Sequence, residues 1–175
     1  PYHACVIRPD HAVDCFGKQQ PRTVPPAGFT AIALASAHLH NCALLTDDAG
    51  EKVGCFGFGY DGVDTPNEPP PGLDAVQVAV GEGTSCAVAA DGTVSCWYGG
   101  DLEVDPPDDL RAKQVATTAA FSCAIALDDE VTCWGLNPPE LPESALRARF
   151  VVVAQSEATM DPPATRVRRA CAIRL

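Results

Sequence analysis

The chain has 175 residues and a formal net charge of -11, from 12 Lys and Arg against 23 Asp and Glu. That balance argues against a nucleic-acid partner, because duplex affinity rests on neutralising phosphates with cations, and no apolar run approaches the roughly 20 residues that a membrane-spanning helix needs. Aromatic residues are only 6% of the chain, while turn formers and thiols are abundant, with 16 Pro, 14 Gly and nine Cys.

In chain order the first element is a hairpin. If the chain reverses between Ile7 and Val13, the period of two in an extended strand sets Cys5 opposite Cys15 and Ile7 opposite Val13. Pro25-Pro26 breaks the pattern, and an apolar strand is expected over 30–35. A second hairpin sets Cys42 opposite Cys55 and Leu44 opposite Val53, with the longer loop Asp47-Asp48-Ala49-Gly50. Pro70-Pro71 and a strand over 75–80 lead to the third hairpin. There Cys86 faces Cys96 and Val88 faces Val94 across Ala90-Asp91-Gly92, a three-residue loop with Gly in the left-handed position. Pro106-Pro107 and a strand over 113–117 precede the fourth hairpin, which pairs Cys123 with Cys133 and Ile125 with Val131. A strand over 149–154 and a terminal strand carrying Arg166, Arg168, Arg169, Cys171 and Arg174 close the chain.

The first cysteine of each element falls at 5, 42, 86, 123 and 171, so the steps are 37, 44, 37 and 48 residues. A recurring period near 40 marks a repeat architecture. The Pro-rich breaks set the units at 1–24, 25–66, 67–105, 106–137 and 138–175 within one domain. Three or four short strands per unit are the signature of a β-propeller blade, so the expected fold is an all-β propeller of stapled blades. Cysteines opposed across two strands lie within disulfide reach. Each bridge over so short a loop contributes about 2.8 kcal/mol in the chain-entropy account. Zinc ligation is the competing reading, but Cys-x-x-Cys spacing is absent; free buried thiols are another. Bridges imply an oxidising compartment, and hence a secreted or cell-surface location. Cys171 is left without a partner and reads as the first cysteine of a fifth unit, so the chain is expected to be about four and a half blades of a longer propeller.

The charge sits in one stretch. From Pro1 to Phe58 four basic and five acidic residues give a net of -1; from Gly59 to Leu110 eleven acidic and no basic residues give -11. From Arg111 to Leu175 eight basic and seven acidic residues give +1. The middle stretch is either a solvated surface or a docking region for a basic partner. Asp61, Asp64, Asp101, Glu103 and Asp105 are calcium candidates through hard oxygen ligands, although none lies in the twelve-residue hand pattern. The sequence offers no phosphate loop, no His-Glu-x-x-His and no Gly-x-Ser-x-Gly, so no catalytic residue and no cofactor is assigned.

The run Val78-Ala79-Val80-Gly81-Glu82-Gly83-Thr84-Ser85-Cys86-Ala87-Val88, continued by Asp91-Gly92-Thr93-Val94-Ser95-Cys96-Trp97, resembles the repeat of the regulator of chromosome condensation family. Partial copies stand at His3-Ala4-Cys5-Val6-Ile7, His40-Asn41-Cys42-Ala43-Leu44 and Val131-Thr132-Cys133-Trp134-Gly135. The Cys-bearing form is similar to extracellular relatives such as crinkly-type ectodomains and secreted repeat proteins. The resemblance implies a bladed propeller, and it places His3 and His40 at the family's His position, where a structural hydrogen bond is expected. The family's Gly-Gln-Leu-Gly continuation is missing, and the acidic surface does not fit a nuclear exchange role. Repeats, bridges and the lack of catalytic groups together point to a non-enzymatic extracellular scaffold, part of a larger cell-surface or filamentous assembly. Its partners are then other proteins or further blades of the same polypeptide. A secreted binding module, lectin-like or enzyme-inhibiting, is the alternative.

Overall fold

The computed structural model describes residues 3–17, 24–37, 40–46, 53–57, 68–98, 105–136, 138–142, 147–157 and 166–174, and every regular element among them is a strand. A hairpin of β1 (His3–Ile7) and β2 (Val13–Gly17) comes first. Three meanders follow: β3 (Ala31–Ser36), β4 (His40–Leu45) and β5 (Val53–Gly57); β6 (Ala75–Val80), β7 (Thr84–Ala89) and β8 (Val94–Tyr98); β9 (Ala112–Thr117), β10 (Phe121–Ala126) and β11 (Val131–Gly135). A last hairpin joins β12 (Ala148–Glu157) to β13 (Arg166–Arg174). Each group is a separate antiparallel sheet, and in the meanders the strand with the first cysteine is central.

Alternation dictates the register as the sequence implied. Cys5 faces Cys15, Cys42 faces Cys55, Cys86 faces Cys96 and Cys123 faces Cys133. All four pairs are bridged, with Cα separations of 4.0 or 4.1 Å. Backbone pairing sets Cys171 opposite Val152, the place that Cys42, Cys86 and Cys123 hold opposite Ala35, Ala79 and Ala116. Its side chain lies outside the described structure. β12 and β13 therefore repeat the first two strands of a blade, and they pair four positions further than the others, from Ala154–Arg169 to Glu157–Arg166.

The first strands begin at Ala31, Ala75, Ala112 and Ala148, one residue away from the sequence expectation at three of the four. The reason is a clasp between neighbouring blades. Ala31 N–H donates to His11 O at 2.9 Å, Ala112 N–H to Gly92 O at 2.8 Å and Ala148 N–H to Asp129 O at 3.0 Å. His11, Gly92 and Asp129 are the left-handed residues of the hairpin tips, with φ of 67°, 85° and 75°, and that conformation turns the carbonyl toward the next blade. The register slips by one residue just after the alanine, a bulge that turns Ile32, Val76, Lys113 and Arg149 outward.

Hydrophobic cores lie between sheets, in chain order. Cys5, Ile7 and Val13 of the first hairpin pack on Ala31, Ala43 and Phe56 of the second sheet. Leu44 and Val53 then pack on Ala75, Val78 and Ala87; Cys86, Val88 and Val94 pack on Ala112, Val115 and Trp134. Cys123, Ile125 and Val131 pack on Ala148 and Val151. Alanines at the crowded positions allow the sheets close approach, and a Cβ added at Gly81 would meet the Thr118 backbone at 2.5 Å. Face-to-face stacking of small sheets, each stapled and each facing the next, is the architecture of a β-propeller.

Candidate interaction surface

The seams carry polar as well as apolar chemistry. The residue just before each first cysteine reaches the sulfur of the preceding blade: Asn41 Oδ1 is 3.5 Å from Cys5 Sγ, Ser85 Oγ is 3.3 Å from Cys42 Sγ, and Ser122 Oγ is 3.7 Å from Cys86 Sγ. A bridged sulfur has no proton to donate, so the Ser85 hydroxyl is the donor in the second contact; Ser122 gives its one proton to Thr117 Oγ1, which leaves its approach to Cys86 a packing contact.

The histidines expected to be structural are in the same row. His3 Nε2 lies 3.0 Å from Asn41 Oδ1, and His40 Nε2 lies 2.8 Å from Ser85 Oγ. One proton arrangement uses every hydrogen at the second site: His40 Nε2–H donates to Ser85 Oγ, and the Ser85 hydroxyl donates to Cys42 Sγ. Burial pushes the His40 pKa down to about 4, so the ring is neutral at physiological pH. The nearby pair of imidazole and hydroxyl is no nucleophilic dyad, because both side chains are buried between blades and closed to a substrate. Beyond it, Ser122 Oγ donates to Thr117 Oγ1 at 2.8 Å. His40 Nδ1, Asn41 Nδ2 and Thr84 Oγ1 are buried here without a hydrogen-bond partner.

Side-chain amides add a second device. Val115 N–H donates to Gln77 Oε1 at 2.9 Å, and Gln77 Nε2 donates to Val115 O at 3.0 Å. Gln114 holds Val151 in the same manner, at 3.1 and 3.2 Å. Each glutamine thus imitates a ladder partner for the first strand of the next blade. Sequence reasoning missed these residues, because a lone Gln in a strand reads as a solvent-facing position; the shared place two residues after the strand-initial alanine was the available signal.

The outer surface is where a partner has access. Of the acidic stretch 59–110, Glu68, Asp74, Glu82, Asp91, Asp105, Asp108 and Asp109 are described, and all are exposed. The backbone N–H of Thr93 holds the Asp91 carboxyl below the usual carboxylate range, fixing the hairpin tip. Among the calcium candidates only Asp105 is described; Asp61, Asp64, Asp101 and Glu103 lie outside the described residues. Among the described residues no group of three or more His, Cys, Asp or Glu is placed to hold a metal ion. Two grooves lie beside the third strands. One of about 660 Å³ is lined by Phe29, Leu45, Val53, Pro70 and Leu73, and one of about 350 Å³ by Arg8, Val13, Val24, Pro25 and Phe29. Each is closed on one side by the Pro-Pro segment of the following unit.

No family model and no curated protein matches the chain. Solved structures do. The CRINKLY WD40 ectodomain of an Arabidopsis thaliana receptor kinase superposes with a TM-score of 0.64 and 23% identity over 80% of this chain and 49% of that one. The entire ectodomain of a Physcomitrella patens receptor kinase gives 0.67 and 23% over 86% of this chain and 43% of that one. Prp20p from Saccharomyces cerevisiae, whose structure is described with its binding to Gsp1p and histones, gives 0.56 and 13% over 95% and 60%. These likenesses establish the propeller fold. The chain spans less than half the length of the two receptor-kinase structures.

Proposed function

We propose that the chain is a non-enzymatic extracellular interaction scaffold, a segment of propeller with further blades supplied by the same polypeptide, in the units 1–24, 25–66, 67–105, 106–137 and 138–175. The four seam-facing bridges carry this reading. Every blade that has both cysteines is stapled across its hairpin, and the bridged sulfurs pack into the next blade, so the fold depends on an oxidising compartment. The likeness to two plant receptor-kinase ectodomains supports an extracellular placement. The exposed carboxylates of the 59–110 stretch supply the docking chemistry for a basic protein partner.

Two measurements test it. Production in an oxidising compartment gives folded, fully bridged protein, whereas reducing cytoplasm gives unfolded chain; a native fold with all thiols free would overturn the extracellular reading. A Lys/Arg-rich peptide titrated against the chain binds in a salt-dependent manner, and the triple variant Asp105→Asn, Asp108→Asn, Asp109→Asn weakens it. Binding unchanged by salt and by the variant would overturn the acidic docking surface.

A further inference from the structure

The residue that opens each cysteine-bearing strand differs from seam to seam. In register it is His3 on β1, His40 on β4, Thr84 on β7 and Phe121 on β10, opposite Gly17, Gly57, Tyr98 and Gly135. Thr84 and Phe121 do not titrate. His3 is partly buried and faces the amide oxygen of Asn41, an acceptor that suits the ring in either charge state. His40 alone is both titratable and enclosed: it is 2% exposed, between the sheet of β3, β4 and β5 and the sheet of β6, β7 and β8.

That seam has no means of holding an imidazolium. Nε2 already donates to Ser85 Oγ, and Nδ1 is buried with no acceptor for a second proton. Strands β3, β5, β6 and β7 carry no Asp, Glu, Lys, Arg or His, and the cysteines of β5 and β7 are bridged. His3 lies against Asn41, on the other face of β4, and Glu82, in the turn before β7, is exposed. Desolvation is accordingly what lowers the ring's pKa to about 4.

The same seam also goes without a side-chain clamp on its first strand. Gln77 and Gln114 each hold the next first strand through two hydrogen bonds. The residue in their place on β3 is Ala33, opposite Leu44 as Gln77 is opposite Val88 and Gln114 is opposite Ile125. A methyl group forms no such bond, so apolar packing of Leu44, Val53, Val78 and Ala87 holds this seam beside the His40–Ser85 hydrogen bond.

We propose that this seam is an acid-sensitive joint: protonation of His40 drives the two sheets apart while the next seam stays closed. Opening lets water reach Nδ1 and solvate the charged ring, so protonation and opening are linked. A ring that titrates at 6.5 when solvated and at about 4 when enclosed raises the open population roughly 20-fold between pH 7 and pH 5. The joint goes beyond the scaffold reading and does not depend on it; it makes the exposure of an apolar blade face respond to acidity.

The two tryptophans report on adjacent seams. Trp97 packs in the His40 seam and its Nε1–H is buried with no partner, whereas Trp134 packs in the next seam with Cys86 and Val88. Deuterium exchange of the two indole N–H groups in the whole chain, followed by NMR and divided by the rate of free indole at the same pH, measures opening at each. Between pH 7 and pH 5 protection is expected to fall roughly 20-fold at Trp97 and to hold at Trp134. His40→Gln, whose amide can still donate to Ser85, removes the fall. If that variant does not fold, titration of the His40 ring in the unaltered chain decides, with protonation expected only below pH 5. Equal falls at both indoles, protection at Trp97 that ignores pH, a fall that persists in His40→Gln, or a ring that protonates near pH 6.5 in folded protein would each overturn the proposal.

Discussion

His40 and Ser85 belong to neighbouring blades, and the imidazole Nε2 of one lies 2.8 Å from the hydroxyl of the other with both side chains buried. Folding holds the ring neutral: its pKa falls from 6.5 to about 4 through desolvation. Between those two values the unfolded chain binds a proton that the native seam refuses, so stability is lost as pH falls through that window. A shift of this size corresponds to about 3 kcal/mol. The thermal midpoint of the native chain is expected to drop between neutral pH and pH 4 more steeply than that of His40→Gln, which has nothing to titrate there. Equal slopes would show that His40 does not carry the effect.

The bridges differ in surroundings although three of them close loops of the same length. Cys86 and Cys123 are fully buried in seams, whereas Cys5 is only partly buried. Chain entropy alone assigns about the same loss to each, in the range of about 2–4 kcal/mol. The paired change Cys86→Ala with Cys96→Ala is expected to cost more than Cys5→Ala with Cys15→Ala, because it also removes contacts with the next blade. Urea denaturation midpoints of the two double variants check the order.

The Gln77 clamp protects one particular amide. Val115 N–H is hydrogen-bonded to the Gln77 side chain, so Gln77→Leu is expected to speed hydrogen exchange at Val115 and to cost about 1–3 kcal/mol. Gln114→Leu does the same at Val151. Exchange that remains slow at both amides in the variants would show that other groups protect them.

Close approach of the turns before β7 and β10 makes Gly81 sensitive to a single methyl group. A Cβ there would stand 2.5 Å from the carbonyl carbon and oxygen of Thr118, so Gly81→Ala must push two blades apart. The expected loss is about 1–3 kcal/mol, typical of overpacking, and the melting midpoint measures it.

The hairpins, their registers and the cysteine pairs were legible in the sequence because a period of two and a short loop leave little choice of partner. Cys86 opposite Cys96 with Gly92 in the tip follows from counting alone. The contacts between blades were less legible, because they join residues from about half a repeat to a full repeat apart. Gln77 and Val115, His40 and Ser85, and the Gly92 carbonyl with the Ala112 amide give no local pattern. Ala43, Ala87 and Ala124 recur visibly, but only the stacked sheets explain why the position is small. The acidic stretch was plain in the composition, and its described members are exposed, as charged side chains prefer.

Peptide mapping of the unreduced chain by mass spectrometry examines the stapled-blade architecture without intermediaries. The expected linkages are Cys5–Cys15, Cys42–Cys55, Cys86–Cys96 and Cys123–Cys133, each closing one hairpin. A linkage between cysteines of different hairpins, or eight free thiols in folded protein, would contradict the architecture.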